Sequence, residues 1–355
     1  MPKPITLLTG ATGHIGFRTL ILLLEAGHNV TIAIRRADQA PKIRAAPSIQ
    51  PYLNAITFTI VPDMTAPNAY KTAIKDATYV VHVASPVPLK PNNQALSREG
   101  KSFAEVYYEP AVKGTLGILT AAADTLSVKR VVVTASGNVL ASVVGEAGAG
   151  PSSIRRCPGP EEQDAVADPG QAYKMSKILA VTAARDFVRE EREKREREGG
   201  GSFFDLVFVC PGYVQGGYEI CGSVEEFYTT TSAAMLNVAL GKNLGVPNVA
   251  SQVWVDDVAR AHVVSLSSAD IGDGDVLVLL GNGGKGWPWD EVGPLVGEMF
   301  PDEVSAGVLT PVKDQLSMAL NFDASETEKK LGWKFKGPEI WAKEVVEQYL
   351  ALKKG

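Results

Sequence analysis

Through its first two thirds the chain alternates short, unbroken apolar runs with longer stretches of helical periodicity. Six runs rich in β-branched residues predict strands: ITLLT (5–9), VTIAI (30–34), ITFTIV (56–61), TYVVHV (78–83), RVVVTA (130–135) and FFDLVFV (203–209). Each reads as a continuous apolar run, the pattern of strands covered on both faces. Helices are predicted between them at 14–26, 67–76, 102–126 and 172–198. Such alternation predicts an α/β fold built on a doubly wound parallel sheet.

Past residue 211 the texture changes. Helical segments at 224–240, 256–269, 288–299 and 338–352 are separated by irregular stretches, with one strand run, VLVLL (276–280). This predicts a smaller, mainly helical C-terminal domain. Two interruptions stand out. Residues 141–170 are rich in Gly and Pro without periodicity and predict a long loop just before a helix start. REEREKREREGGGS (189–202) mixes charges as a solvated helical extension does, ending in a flexible break.

Composition narrows the function classes. The chain has 355 residues, 45% hydrophobic and 21% charged, enough for about two domains with substantial cores. A net charge of -5 provides no global field for nucleic acid or an anionic membrane. No apolar run approaches the roughly 18 residues that span a bilayer. Cys157, Cys210 and Cys221 are few, odd in number and not spaced as metal ligands, so free thiols and a cytoplasmic location are expected. No metal site is expected. His28, His82 and His262 are scattered and read as structural, and GNGGKG (281–286) lacks the ending of a nucleoside triphosphate loop.

The first chemistry-bearing motif is TGATGHIG. Gly10, Gly13 and Gly16 follow a strand and open an amphipathic helix, the context of a dinucleotide-binding turn. Gly10 permits the tight turn, Gly13 close approach to a pyrophosphate, and Gly16 close helix–strand packing. Thr12, His14 and Ile15 complete the turn, whose helix N-terminus faces the phosphates. The second strand ends at Ile34 and is followed by Arg35 and Arg36. A carboxylate there would take the adenosine ribose hydroxyls, whereas guanidinium groups suit a 2′-phosphate, which predicts NADP(H) with Arg35 the stronger ligand.

The second motif is AYKMSK. Tyr173 and Lys177 stand four residues apart at a helix start and share one face. A neighbouring cation favours phenolate, so the tyrosine is a candidate to exchange a proton with a carbonyl oxygen as hydride moves to or from its carbon. Ser136 in VVVTASGN closes a strand at the carboxyl edge, where a hydroxyl can hold that oxygen.

Together TGATGHIG, VVHVASP, PAVKGT, VVVTAS, YKMSK, CPGYVQG and DVARAH resemble an extended short-chain dehydrogenase/reductase. Within that family the chain is most similar to the branch of dihydroflavonol reductases, cinnamoyl-CoA reductases and fungal ketone/aldehyde reductases, over nearly its whole length. The resemblance implies a Rossmann domain at 1–210 with segments returning near 250–282, and a substrate domain formed by 211–249 and 283–355. It implies that Ser136, Tyr173 and Lys177 are the catalytic residues, with Lys177 also on the nicotinamide ribose. It places Asp63 and Met64 at adenine, Ala84 and Ser85 where the backbone passes the cofactor, Pro211 to Val214 at nicotinamide, and Arg35 at the 2′-phosphate. Lys113 stands where many relatives carry asparagine, which could alter a structural water or proton relay.

The resulting expectation is an NADPH-dependent reductase of a ketone or aldehyde on a medium-sized, largely apolar substrate. It would act on a small molecule, without nucleic acid or membrane, as a monomer or homodimer. Two rivals are an epimerase-type enzyme on a nucleotide sugar and a non-catalytic NADPH-binding regulator. Sugar dehydratases of the superfamily carry an acidic pair where this chain has Gly137-Asn138.

Overall fold

The structure is a computed structural model and describes residues 2–86, 100–140, 154–155, 157–201, 203–243, 245–320 and 322–354. By internal contacts the chain forms two compact units, the first comprising Met1–Val139, Ile154–Cys210 and Ala259–Val276. Much of the loop expected at 141–170, namely 141–153 and 156, lies outside the described residues.

The first unit contains β1 (Ile5–Thr9), α1 (His14–Glu25), β2 (Asn29–Ile34), α2 (Gln39–Arg44), β3 (Ile56–Ile60), β4 (Tyr79–His82), α3 (Glu109–Ala123), β5 (Arg130–Thr134), α4 (Pro160–Asp164), α5 (Pro169–Arg197) and β6 (Asp205–Pro211). The main sheet runs in the order β3-β2-β1-β4-β5-β6 and ends with β10 (Val276–Leu279). Pairings from β3 through β6 are all parallel. This is the doubly wound Rossmann order, with the switch point at β1 between β2 and β4, where open α/β sheets place their ligand crevice.

Core strands behave as their apolar runs require: β1, β4, β5 and β6 are buried along nearly their whole length. The outer strands differ. β2 alternates buried and half-buried positions, and on β3 only Ile56 is fully buried while Ile60 is 53% exposed. These strands approach the sheet edge, where one face loses its cover.

Three helix expectations change, one of them 224–240, which forms two short helices, Val224–Phe227 and Ala233–Ala239, with turns between them. Residues 67–76 form successive turns instead of a helix, because Asn68 (φ 57°) and Asp76 (φ 64°) adopt left-handed backbone conformations that no α-helix accommodates. The helix expected at 102–126 begins as a π-helical turn, Ala104–Tyr108, before α3. The 29-residue α5 starts where Asp168 Oδ1 accepts the amides of Gly170 (2.8 Å) and Gln171 (2.9 Å), with Pro169 at its first position. It packs along α3 and buries Ala172, Ser176, Lys177, Ala180, Val181, Ala184 and Val188. The charged 189–197 stretch continues α5 as a mostly exposed extension.

The second unit includes Pro211–Val258 and Leu277–Gly355. β7 (Tyr213–Gln215) pairs with β9 (Gln252–Trp254), and β8 (Asn248–Ala250) with β11 (Ser317–Ala319), each pair parallel. Helices α6 (Ala233–Ala239), α8 (Trp289–Met299) and α9 (Pro338–Lys354) pack together around Trp289, Val292, Trp341 and Val345. Between them in sequence, α7 (Val255–Val264) crosses the boundary of the two units.

Candidate active site

The glycine turn has the geometry its sequence requires. Gly10 adopts φ +76°, and a Cβ there would lie 2.8 Å from the Ala84 amide nitrogen. A Cβ on Gly16 would run into the Gly10 carbonyl. Gly13 is the N-cap of α1, contributes no side-chain cap, and no acidic residue stands in the first turn. An anion therefore meets the positive helix end without a competing carboxylate. These backbone features fit a pyrophosphate.

Thr9, the first residue of TGATGHIG but not among the expected ligands, fixes the neighbouring strand end. Its Oγ1 accepts the amides of Val83 and Ala84, both at 3.1 Å, and lies 3.0 Å from His82 Nδ1. Two amide donors occupy the hydroxyl lone pairs, so the network assigns the hydroxyl proton to Nδ1 and the ring proton to Nε2. Burial pushes the His82 pKa down to about 3, assisted by Lys177, so the ring is neutral. His82 Nε2 is buried and has no hydrogen-bond partner among the described residues.

Lys177 lies 6% exposed on the inward face of α5. Its Nζ donates to Thr134 O at 3.2 Å and stands 5.8 Å from the centre of the Tyr173 ring. Burial lowers its pKa to about 8, a fall opposed by the nearby Cys210. A small cavity of about 10 Å3 is lined by His82, Ala84, Ser85, Thr115, Thr134 and Lys177, among others. Thr134 also bonds His262 Nε2 through its hydroxyl, at 2.7 Å. His262 and His82 are thus structural residues of the shell around the lysine; the strand-end histidine of TYVVHV, polar in an apolar run, was the signal for one of them.

Ser136 is 8% exposed just beyond β5. Its Oγ accepts the Asn138 amide at 3.2 Å, a local turn that leaves the hydroxyl proton to be donated. The Ser136 backbone also bonds Cys210, whose thiol burial pushes up to about 12. Tyr173 is half-buried one turn before Lys177 on α5. The structure therefore gathers Gly10, Ala84, Ser85, Lys177 and the end of β5 at the carboxyl edge of the first unit's sheet.

Other expected ligands sit as follows. Arg35 and Arg36 are exposed after β2, and both amides donate to Gln39 Oε1 at 2.9 and 3.1 Å. The Arg36 guanidinium is engaged by Asp38, Nε to Oδ1 3.0 Å. Asp63 is exposed and accepts from the Thr65 amide (2.8 Å) and hydroxyl (2.7 Å), which hold its carboxyl below the usual range. Met64 lies against Gly114 of α3, where any Cβ would displace it. Thr12, His14 and Ile15 lie in and just after the turn, at the head of α1. Pro211 ends β6, and buried Val214 pairs with Val253 in the second unit. Lys113 is more than half exposed and pairs with Glu109 on α3 at 2.6 Å.

Among the described residues no group of three or more His, Cys, Asp or Glu is arranged to hold a metal, and no helix is long and apolar enough to cross a membrane. Cys157 is exposed, and Cys210 and Cys221 are buried, all as free thiols.

Comparison with known proteins gives a consistent setting. The chain is 32% identical to the NAD-dependent epimerase/dehydratase ALT6 of Alternaria alternata, over 94% of each chain. It is 30% identical to the ketoreductase CTB6 of Cercospora beticola, covering 99% of this chain and 96% of that one. The fold superimposes on yeast methylglyoxal/isovaleraldehyde reductase Gre2 complexed with NADPH with a TM-score of 0.78, 23% identity and 99% coverage of both chains. Residues 6–279 match the model of the NAD dependent epimerase/dehydratase family, and the chain belongs to that family.

Proposed function

We propose that this protein is an NADPH-dependent carbonyl reductase in which Ser136, Tyr173 and Lys177 act on a ketone or aldehyde. The observation that carries the reading is Lys177, a buried ammonium anchored to Thr134 O beside the Tyr173 ring, in a cavity shared with Ala84 and Ser85. A buried lysine of lowered pKa in such a crevice is a functional group rather than a core filler.

When bound, NADPH supplies the hydride that reduces the carbonyl carbon. Ser136, its oxygen already accepting from Asn138, donates its hydroxyl proton to the substrate oxygen and holds it in place. Tyr173 delivers the proton that converts that oxygen to a hydroxyl. Lys177 stabilises the phenolate left behind. Gly10, Thr12, Gly13, His14, Ile15 and Gly16 cradle the pyrophosphate. Arg35 takes the 2′-phosphate, assisted weakly by Arg36, while Asp63 and Met64 flank adenine and Pro211 and Val214 the nicotinamide.

Cofactor choice is supported by paired arginines in place of a carboxylate after β2 and by the NADPH complex of the similar yeast reductase. The carbonyl substrate is supported by the Cercospora ketoreductase and by the finer likeness to the cinnamoyl-CoA reductase branch.

The experiment is NADPH oxidation across ketones and aldehydes, with NADH as control, for the wild type and Tyr173→Phe. Turnover should fall by about 100-fold or more in the variant with cofactor binding retained. Near-normal rates would exclude Tyr173 as the acid. An epimerase-type reaction, which the family description also spans, would proceed without net NADPH consumption.

A further inference from the structure

The chain that follows β6 is held by side chains as well as by the pairing of β7 with β9. β7 ends at Gln215, and Gly216 turns the backbone at φ +134°. Thr231 Oγ1 donates to Val214 O at 2.6 Å, and Gln215 Nε2 donates to Thr231 O at 3.0 Å. Ser232 Oγ accepts the Gly216 amide at 3.2 Å and donates to Gly216 O at 3.1 Å. The next two residues are taken by α9. Glu344 Oε2 accepts the Gly217 amide at 3.1 Å and Trp254 Nε1 at 2.9 Å. Gln348 Oε1 accepts the Tyr218 amide at 2.6 Å, and its Nε2 donates to Tyr218 O at 2.7 Å.

Glu344 and Gln348 are one helical turn apart and present their acceptors side by side. The second unit does not need them for its core, which Trp289, Trp341, Val292 and Val345 supply. A loop amide such as that of Gly217 can be satisfied nearly as well by water, so a specified side-chain partner adds location more than stability. From Val214 to Tyr218 the path is therefore over-determined, as in segments that must present a group at a fixed place.

We propose that Glu344 and Gln348 are positioning residues: through them the C-terminal helix sets the course of residues 214–218, and so the placement of Val214 and Pro211 against the nicotinamide. The inference rests on the reading above that Pro211 and Val214 contact the cofactor. Neither Glu344 nor Gln348 touches a reacting atom.

The test uses the full-length protein and four variants, Glu344→Ala, Glu344→Gln, Gln348→Ala and Val214→Ala. The measurements are kcat, the KM for NADPH, the isotope effect with 4-deuterated NADPH, and Tm. Glu344→Ala and Gln348→Ala should each lower kcat/KM for NADPH about five- to tenfold and enlarge the isotope effect, as hydride transfer slows. Glu344→Gln should restore most of that loss, because both bonds go to one oxygen that an amide oxygen can replace.

Wild-type kinetics in both Glu344→Ala and Gln348→Ala would overturn the inference. So would Glu344→Gln being as impaired as Glu344→Ala, or a kinetic loss that only follows the drop in Tm. Val214→Ala separates the two levels. If it changes the NADPH kinetics while the α9 variants do not, the positioning role alone fails. If it is silent, the placement of Val214 at the nicotinamide fails, and this inference with it.

Discussion

Replacing Lys177 with methionine should make the cofactor-free protein more stable while abolishing its activity. Burial lowers the lysine from its ordinary 10.5 to about 8, which at about 1.4 kcal/mol per pH unit makes the buried charge cost roughly 3 kcal/mol at neutral pH. Methionine keeps most of the aliphatic stem and carries no charge. Losing the bond to Thr134 O returns about 1 kcal/mol of that gain, leaving a net stabilisation of about 2 kcal/mol. For a chain of this length that is a rise in Tm of roughly 3 °C.

The pH dependence has a definite sign. Between about 8 and 10.5 the unfolded chain holds a proton on this lysine that the folded chain has lost, so wild-type stability rises with pH across that window. Below about 8 the full cost is present in the wild type, and above 10.5 both states are neutral and it is gone. The variant's advantage should therefore be largest near pH 7, shrink to nothing near pH 10, and turn into a small deficit at higher pH, where only the lost bond to Thr134 O remains. Urea melts of both proteins without cofactor, at pH 7, 9 and 10.5, read this directly. A variant less stable than wild type at pH 7, or a difference that does not change with pH, would refute the reasoning.

Arg35→Ala should raise the KM for NADPH about 10- to 100-fold and leave NADH little changed, whereas Arg36→Ala, its guanidinium engaged by Asp38, should shift NADPH by only a few fold; steady-state kinetics with both cofactors test it. Thr9→Val, nearly isosteric, strips the Val83 and Ala84 amides of their acceptor and should cost about 2–4 kcal/mol in a urea melt. In the native protein only Cys157 should react rapidly with a maleimide, since Cys210 is buried with its thiol pushed up to about 12 and Cys221 is buried as well; mass spectrometry before and after denaturation counts the modified thiols.

The parallel sheet was legible because apolar runs of four to seven residues at β1, β4, β5 and β6 carry their own burial signature. Strands β7, β8, β9 and β11 span three residues each, too few for any period to show. The helix expected at 67–76 has apolar spacing but ends in the left-handed conformations of Asn68 and Asp76, residue types that enter that region readily. Inside the Gly/Pro-rich stretch, Pro160–Asp164 still makes a short helix, started by Gly159 and its contact with Glu162. In the candidate site, glycine spacing and the i, i+4 pair were visible because they are local. Thr9, Thr134, His262 and Cys210 were not, because their relation to Lys177 exists only once three strands and two helices are brought together.

That hidden shell explains how a charge can be kept where the turn chemistry needs it. Thr9 sits at the switch point of the sheet and ends β1, the strand that leads into Gly10. One hydroxyl accepts two amides of the segment after β4, and Gly10 has room for no side chain against one of the same residues, Ala84. The glycine turn and the Ala84 segment are thereby locked to each other, so a cofactor held by one is placed against the other. The same hydroxyl fixes His82 as a neutral donor, which denies Lys177 a second positive charge at any pH well above 3. With its ammonium anchored on Thr134 O, the lysine charge stays available to the phenolate and ribose of the proposed reaction. A carboxylate in place of His82 would bind the ammonium more tightly and hold it away from that work.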